Sequence, residues 1–160
     1  MKKSIYFLFA LLLIACSGAD PSKVELYNGS YVQLLDSEKV YSYDQYAREM
    51  FSKITGSQSV SIPLFKYGRS ANHEFFVGIP VEPNLSKFAQ ERSALGNSIA
   101  QDSTAVHSFG KYDGFFTSEV LMMNNGKSVY LLCSSKDSIF ISTQFDFQQM
   151  KSRIHLSNEE

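Results

Sequence analysis

Residues 105–133 read AVHSFGKYDGFFTSEVLMMNNGKSVYLLC, and their pattern decides the fold class. Ala105–Phe109, Phe115–Met123 and Val129–Cys133 are runs of β-branched, aromatic and aliphatic residues, the composition of strands. Gly110, Asp113-Gly114 and Asn124-Asn125-Gly126 lie between them. Asp-Gly and Asn-Gly accept positive φ and so close hairpins, and connections this short join only antiparallel neighbours. Val129–Cys133 is apolar at every position except the tyrosine hydroxyl, which predicts a central strand covered on both faces. After Lys136-Asp137, Ser138–Phe145 is expected to be the fourth strand of the meander, with Phe140 on the face opposite Ile139 and Ile141.

Outward toward the C-terminus, Asp146 is expected to cap a terminal helix carrying Phe147, Met150 and Ile154 on one stripe. Residues 157–160 read as a frayed polar tail. Toward the N-terminus, a helix is bounded by Asn84 as N-cap and Gly96 as its stop, with Leu85, Phe88, Ala89 and Leu95 as apolar positions. His73, Phe75, Val77 and Ile79 alternate as in a strand, after a loop at residues 68–72. Val60–Tyr67 reads as another strand, and Pro63 within it predicts an edge or a bulge because proline donates nothing to a ladder. Ser42 as N-cap and Gln45 three residues on suggest a capping box. Tyr43, Tyr46, Ala47, Met50, Phe51 and Ile54 follow at helical spacing, and Gly56 ends that helix. Val24–Tyr27 and Tyr31–Leu35 flank Asn28-Gly29 as a hairpin. The expected class is α+β: an antiparallel sheet with a C-terminal four-strand meander and about three packed helices, in one domain over residues 23–156.

Phe75-Phe76-Val77-Gly78 in a strand, then a helix, a four-strand antiparallel run and a closing helix make an order of elements that resembles the Mog1/PsbP-like fold, to which DcrB-type lipoproteins also belong. The resemblance covers about residues 60–156 and rests on element order. It implies a role in binding or stabilising other proteins and carries no catalytic site across.

The first sixteen residues have a separate logic. Lys2 and Lys3 precede the apolar run Ile5–Ile14, which is shorter than the roughly 20 residues a helix needs to span a bilayer. Residues 1–15 therefore read as a signal peptide. Leu13-Ile14-Ala15-Cys16 resembles the lipobox of bacterial lipoproteins. The resemblance implies cleavage between Ala15 and Cys16, and a diacylglyceryl group on the Cys16 sulfur. Two acyl chains anchor a protein firmly, at about 0.8 kcal/mol per buried CH₂. Residues 16–22 would be the lipidated cysteine and a small, polar tether reaching at most roughly 20 Å. Ser17 after the cysteine favours the outer over the inner membrane of the envelope.

Composition bounds the partners. The formal net charge is −1, and removal of Lys2 and Lys3 makes it −3. No concentrated basic patch suited to nucleic acid follows from that balance. Once Cys16 is lipidated, Cys133 is the remaining thiol, in an apolar run where a cysteine behaves as a small hydrophobe. Gly126-Lys127-Ser128 mimics the end of a phosphate loop, but Leu121 stands where the first glycine belongs and a strand follows. His73, His107 and His155 have no metal-ligand spacing, and no Gly-x-Ser-x-Gly elbow occurs. No cofactor, metal ligand or catalytic residue is expected. Asn28-Gly29-Ser30 and Asn84-Leu85-Ser86 match glycosylation acceptors by chance, since each asparagine has a local structural job. The aromatic residues Tyr43, Tyr46 and Phe140 are the candidates for a partner-binding patch, with Tyr41 nearby. The expected function is that of a membrane-anchored, non-catalytic binding or assembly module. The alternative is a periplasmic small-ligand carrier or an enzyme, either of which needs a concave pocket.

Overall fold

The computed structural model describes residues 21–55 and 63–157. The readings for the signal peptide, Cys16, Gly56, Val60 and the last three residues lie outside them. A seven-stranded, wholly antiparallel sheet runs in the order β3-β4-β5-β9-β8-β7-β6. Its strands are β3 (Lys39–Ser42), β4 (Leu64–Arg69), β5 (Glu74–Gly78), β6 (Ser98–Gln101), β7 (Ala105–Tyr112), β8 (Phe115–Asn124) and β9 (Lys127–Ser135). A smaller sheet joins β1 (Lys23–Glu25), β2 (Tyr31–Gln33) and β10 (Ile154–His155), with β2 in the middle. Among the described residues the helices are α1 (Gln45–Thr55), α2 (Leu85–Ala94), α3 (Ser138–Gln144) and α4 (Phe147–Ser152). The α+β class and the antiparallel sheet are as the sequence pattern implies.

Both faces of the large sheet are covered. Helices α1 and α2 place Ala47, Phe51, Ile54 and Phe88 against Tyr67, Phe76, Leu121, Tyr130 and Leu132. On the other face, α3, α4 and the small sheet bring Ile141, Phe145, Met150, Val24 and Val32 onto Phe75, Val77, Val120, Leu131 and Cys133. Strand β9 sits between β5 and β8, and Val129 through Cys133 are all fully buried. Its unbroken apolar run is the consequence of having no solvent face. The two meander turns are two-residue hairpins with all central residues at positive φ: Asp113 and Gly114, then Asn125 and Gly126. That geometry matches the twist of the flanking strands.

Several expectations shift. Residues 138–144 form α3 instead of a strand, and the fourth meander strand is β6, before β7. Asp137 caps α3 by accepting the N–H groups of Ile139 and Phe140. In a strand Ile139 and Ile141 would share a face. In the helix Ile141 and Phe145, four apart, are buried together while Ile139 is 73% exposed. The first helix is capped by Asp44, whose Oδ1 accepts from Ala47 N at 3.1 Å, while Ser42 ends β3 and Gln45 bonds Glu49. Asp44 is closer to the helical run and holds a charge that favours the helix N-terminus. Ile154 lies on β10, not on the stripe of α4, because that helix stops at Ser152. Pro63 immediately precedes β4, which is internal, and the irregularity falls between Leu64 and Lys66 in the β4–β5 register. Strand β4 continues through Gly68 and Arg69, and a tight turn from Ser70 to His73 replaces the longer loop. Asn84 and Asp146 act as caps, the latter in a capping box with Gln149.

Candidate functional site

Ser22 stands next to the first strand. Its carbonyl accepts Leu34 N–H at 2.7 Å and Gln33 Nε2–H at 2.8 Å, pinning the chain to β2. Ala15 and Cys16 lie outside the described residues, as noted. Among those residues no helix is long and apolar enough to cross a membrane, and no group of three or more His, Cys, Asp or Glu could hold a metal ion.

The three aromatic candidates are not brought together. Tyr43 is half-buried against the α1–α2 core, and Tyr46 is 48% exposed on the same side. Phe140 is on α3, across the sheet, where its ring lies 5.8 Å from Phe145 and 5.7 Å from His73. It is a part of the core lining, so it does not extend the tyrosine patch. The structure instead groups Tyr46 with Tyr41 around the buried Tyr67, at ring separations of 6.0 and 6.1 Å. The Arg69 guanidinium stands 5.1 Å from the Tyr41 ring. Tyr67 donates to Glu74 Oε2 at 3.1 Å, and burial, followed by the Glu74 charge, raises its phenol pKa. Strand β3 is an edge of the seven-stranded sheet, and all four of its residues are exposed. An exposed edge flanked by tyrosines and an arginine has the residue types that carry protein contacts. Tyr41 and Tyr46 were legible as aromatics; their convergence was not, because β3 and β4 meet only through sheet pairing.

Two buried polar clusters escaped the sequence reading. In the first, Glu38 accepts from Arg153 Nη2 at 2.6 Å and from Leu35 N at 2.9 Å through Oε2, and meets His73 Nε2 at 2.6 Å through Oε1. Ser70 Oγ lies 2.8 Å from His73 Nδ1, so serine, histidine and carboxylate stand in a row. The row is built for structure. Ser70 Oγ already accepts the N–H groups of Asn72 and His73, so its lone pairs are occupied by its own turn. The satisfied proton arrangement has Ser70 donating to Nδ1 and Nε2–H donating to Glu38. Arg153 also donates to Gln33 O at 3.1 Å and lies 3.5 Å from Cys133 Sγ. Burial, the dominant cause, pushes the Cys133 thiol pKa up to about 12, so it has no thiolate character at neutral pH.

In the second cluster, Arg92 Nε and Nη2 donate to Glu119 Oε2 at 3.0 and 2.7 Å, and Tyr130 O–H donates to the same oxygen at 2.7 Å. Arg92 and Glu119 are each 4% exposed. They line a cavity of about 200 Å³ between the C-terminal ends of α1 and α2 and strands β7 and β8, together with Thr55, Asn97, Lys111 and Thr117. Asn97 donates to Ser108 Oγ at 2.9 Å and occupies the space left by Gly110, where a Cβ would come within 2.2 Å of its Oδ1. A larger cavity of about 520 Å³ opens beside Pro21, between Val24, Leu34, Val40 and Lys66.

A third cavity, about 280 Å³, lies between β6–β7 and the α3–α4 junction and includes His107. Ser118 Oγ donates to Phe145 O at 2.5 Å, so it accepts from His107 Nε2–H at 2.7 Å. Burial holds the His107 pKa below its usual 6.5. The unfolded chain therefore takes up the proton first as pH falls, and stability drops with acidification from about pH 6.5 downward. Urea midpoints at pH 7.5 and pH 5.0 should differ, and His107→Gln should reduce that difference. An unchanged acid slope in the variant would remove His107 as its source.

No family model and no curated protein sequence matches this chain. Among solved structures the chain is similar to cyanobacterial PsbP (CyanoP) from Synechocystis sp. PCC 6803, with a TM-score of 0.47 and 11% identity over 88% of this chain and 96% of that one. The likeness concerns the path of the chain, and no residue role passes across it.

Proposed function

We propose that this chain is a lipid-anchored protein of the bacterial cell envelope whose domain binds another protein without catalysis. The observation that carries the reading is the pairing of Ser22 with β2. Cys16 stands six residues before Ser22, a separation of at most about 22 Å. A domain held that near a bilayer works on partners at the same membrane. The lipobox resemblance and Ser17 favour the outer membrane as that surface. The exposed β3 edge with Tyr41, Tyr46 and Arg69 supplies the docking residues, in which tyrosine and arginine are the types that dominate binding energy.

In-cell crosslinking with mass spectrometry tests both parts. Wild type should fractionate with membranes and yield a reproducible partner. Cys16→Ser should leave the membrane fraction and lose that partner. Tyr41→Ala/Tyr46→Ala should stay membrane-bound and folded, since both residues are surface-exposed, yet lose the crosslink. Retention of the partner by the double variant would remove the β3 edge as the contact, and membrane retention of Cys16→Ser would remove the lipid anchor.

A further inference from the structure

The Arg92–Glu119 cavity has features that the ion pair itself does not use. Arg92 commits Nε and Nη2 to a single carboxylate oxygen, leaving Nη1 outside the pair. Glu119 Oε2 takes all three donors, from Arg92 and Tyr130, leaving Oε1 without a hydrogen bond among the described residues. Thr117, 5% exposed and on the same wall, has a hydroxyl with none either. Neither oxygen is sealed from solvent: the sealed side-chain atom without a partner among the described residues is Ser134 Oγ. Both residues line the cavity. A buried carboxylate oxygen left unpaired in a dry interior is costly, whereas one that faces a wet, shaped recess is available to a ligand.

We propose that this cavity binds a small zwitterion of the free α-amino-acid class. The pair Arg92–Glu119 is neutral overall, and the Tyr130 phenol stays protonated because burial, above all, raises its pKa. With Lys111 the cavity's charged side chains carry both signs, so a small cation would sit beside Arg92 and Lys111 and a small anion beside Glu119. A zwitterion meets complementary groups at both ends: its carboxylate faces Arg92 Nη1, with Lys111 also lining the cavity, and its ammonium faces Glu119 Oε1 and Thr117 Oγ1. The volume of about 200 Å³ is the share of roughly seven waters at about 30 Å³ each, room for a molecule of this class.

The experiment is an NMR titration of the ¹⁵N-labelled full chain purified in detergent micelles, with glycine, L-serine, sodium acetate and methylammonium chloride as separate probes at millimolar concentrations. Glycine or L-serine should give saturable shifts at Asn97, Thr117 and Glu119, larger than those from either single-charge probe. Thr117→Val keeps the side-chain shape, removes the hydroxyl, and should weaken the amino acid about tenfold. Absence of saturable shifts in wild type means a water-filled recess and overturns the proposal. Equal shifts with acetate mean an anion site and overturn the zwitterion. Unchanged affinity in a folded Thr117→Val removes the assigned contact, and the wild-type titration decides the matter alone if that variant fails to fold.

Discussion

Arg153→Met should destabilise the fold by about 3–5 kcal/mol, the loss typical when one partner of a buried ion pair is removed. Arg153 and Glu38 are 5% and 7% exposed, and Arg153 is the cation facing Glu38 in their cluster. With the guanidinium gone, Glu38 keeps Leu35 N and His73 as partners but stays a buried charge beside Phe75 and Phe145, whose rings now flank Arg153. The loss should appear as a lower urea midpoint with little change in slope. Adding Glu38→Gln should recover a part of it, because the neutral amide oxygen still accepts from Leu35 N and no charge is stranded. A double variant no more stable than Arg153→Met alone would mean that packing of the arginine stem, rather than stranded charge, dominates.

Gly68→Ala should lower stability by about 3 kcal/mol, the upper part of the range for overpacking a core. A Cβ there would lie 2.1 Å from Phe75 Cζ, 2.3 Å from Phe75 Cε1 and 2.7 Å from Lys39 O. Phe75 is fully buried and Lys39 O belongs to the paired strand β3, so neither can retreat without moving an element. Gly126→Ala is the control. Its Cβ would meet nothing within 4 Å, and only its φ of +76° is strained, at about 1–2 kcal/mol. Thermal unfolding of the two variants side by side should place Gly68→Ala clearly lower. The reverse order would show that β3 yields easily, and that the edge carrying Tyr41 is loosely held.

The sequence by itself determined whatever is written within a few residues. Asp113-Gly114 and Asn125-Gly126 specify their hairpins because these residues alone set the turn dihedrals. Asn84 and Asp146 specify helix starts because the side chain reaches an N–H three residues on. Val129–Cys133 announces a strand without a solvent face by having few polar atoms to expose.

Tertiary structure decided the rest. Ser138-Ile139-Phe140-Ile141 suits a strand locally and becomes helical because Ile141 and Phe145 share one buried side and Asp137 caps the turn. Strands β3 and β6 are short and largely exposed, so sheet pairing, and not hydrophobic pattern, makes them strands. Glu38 meets His73 across 35 residues and Arg153 across 115, and Arg92 meets Glu119 across 27. No spacing rule in the chain encodes such meetings. A charged residue reads as surface until the fold removes its water, and only then do burial and the need for a partner turn it into a site.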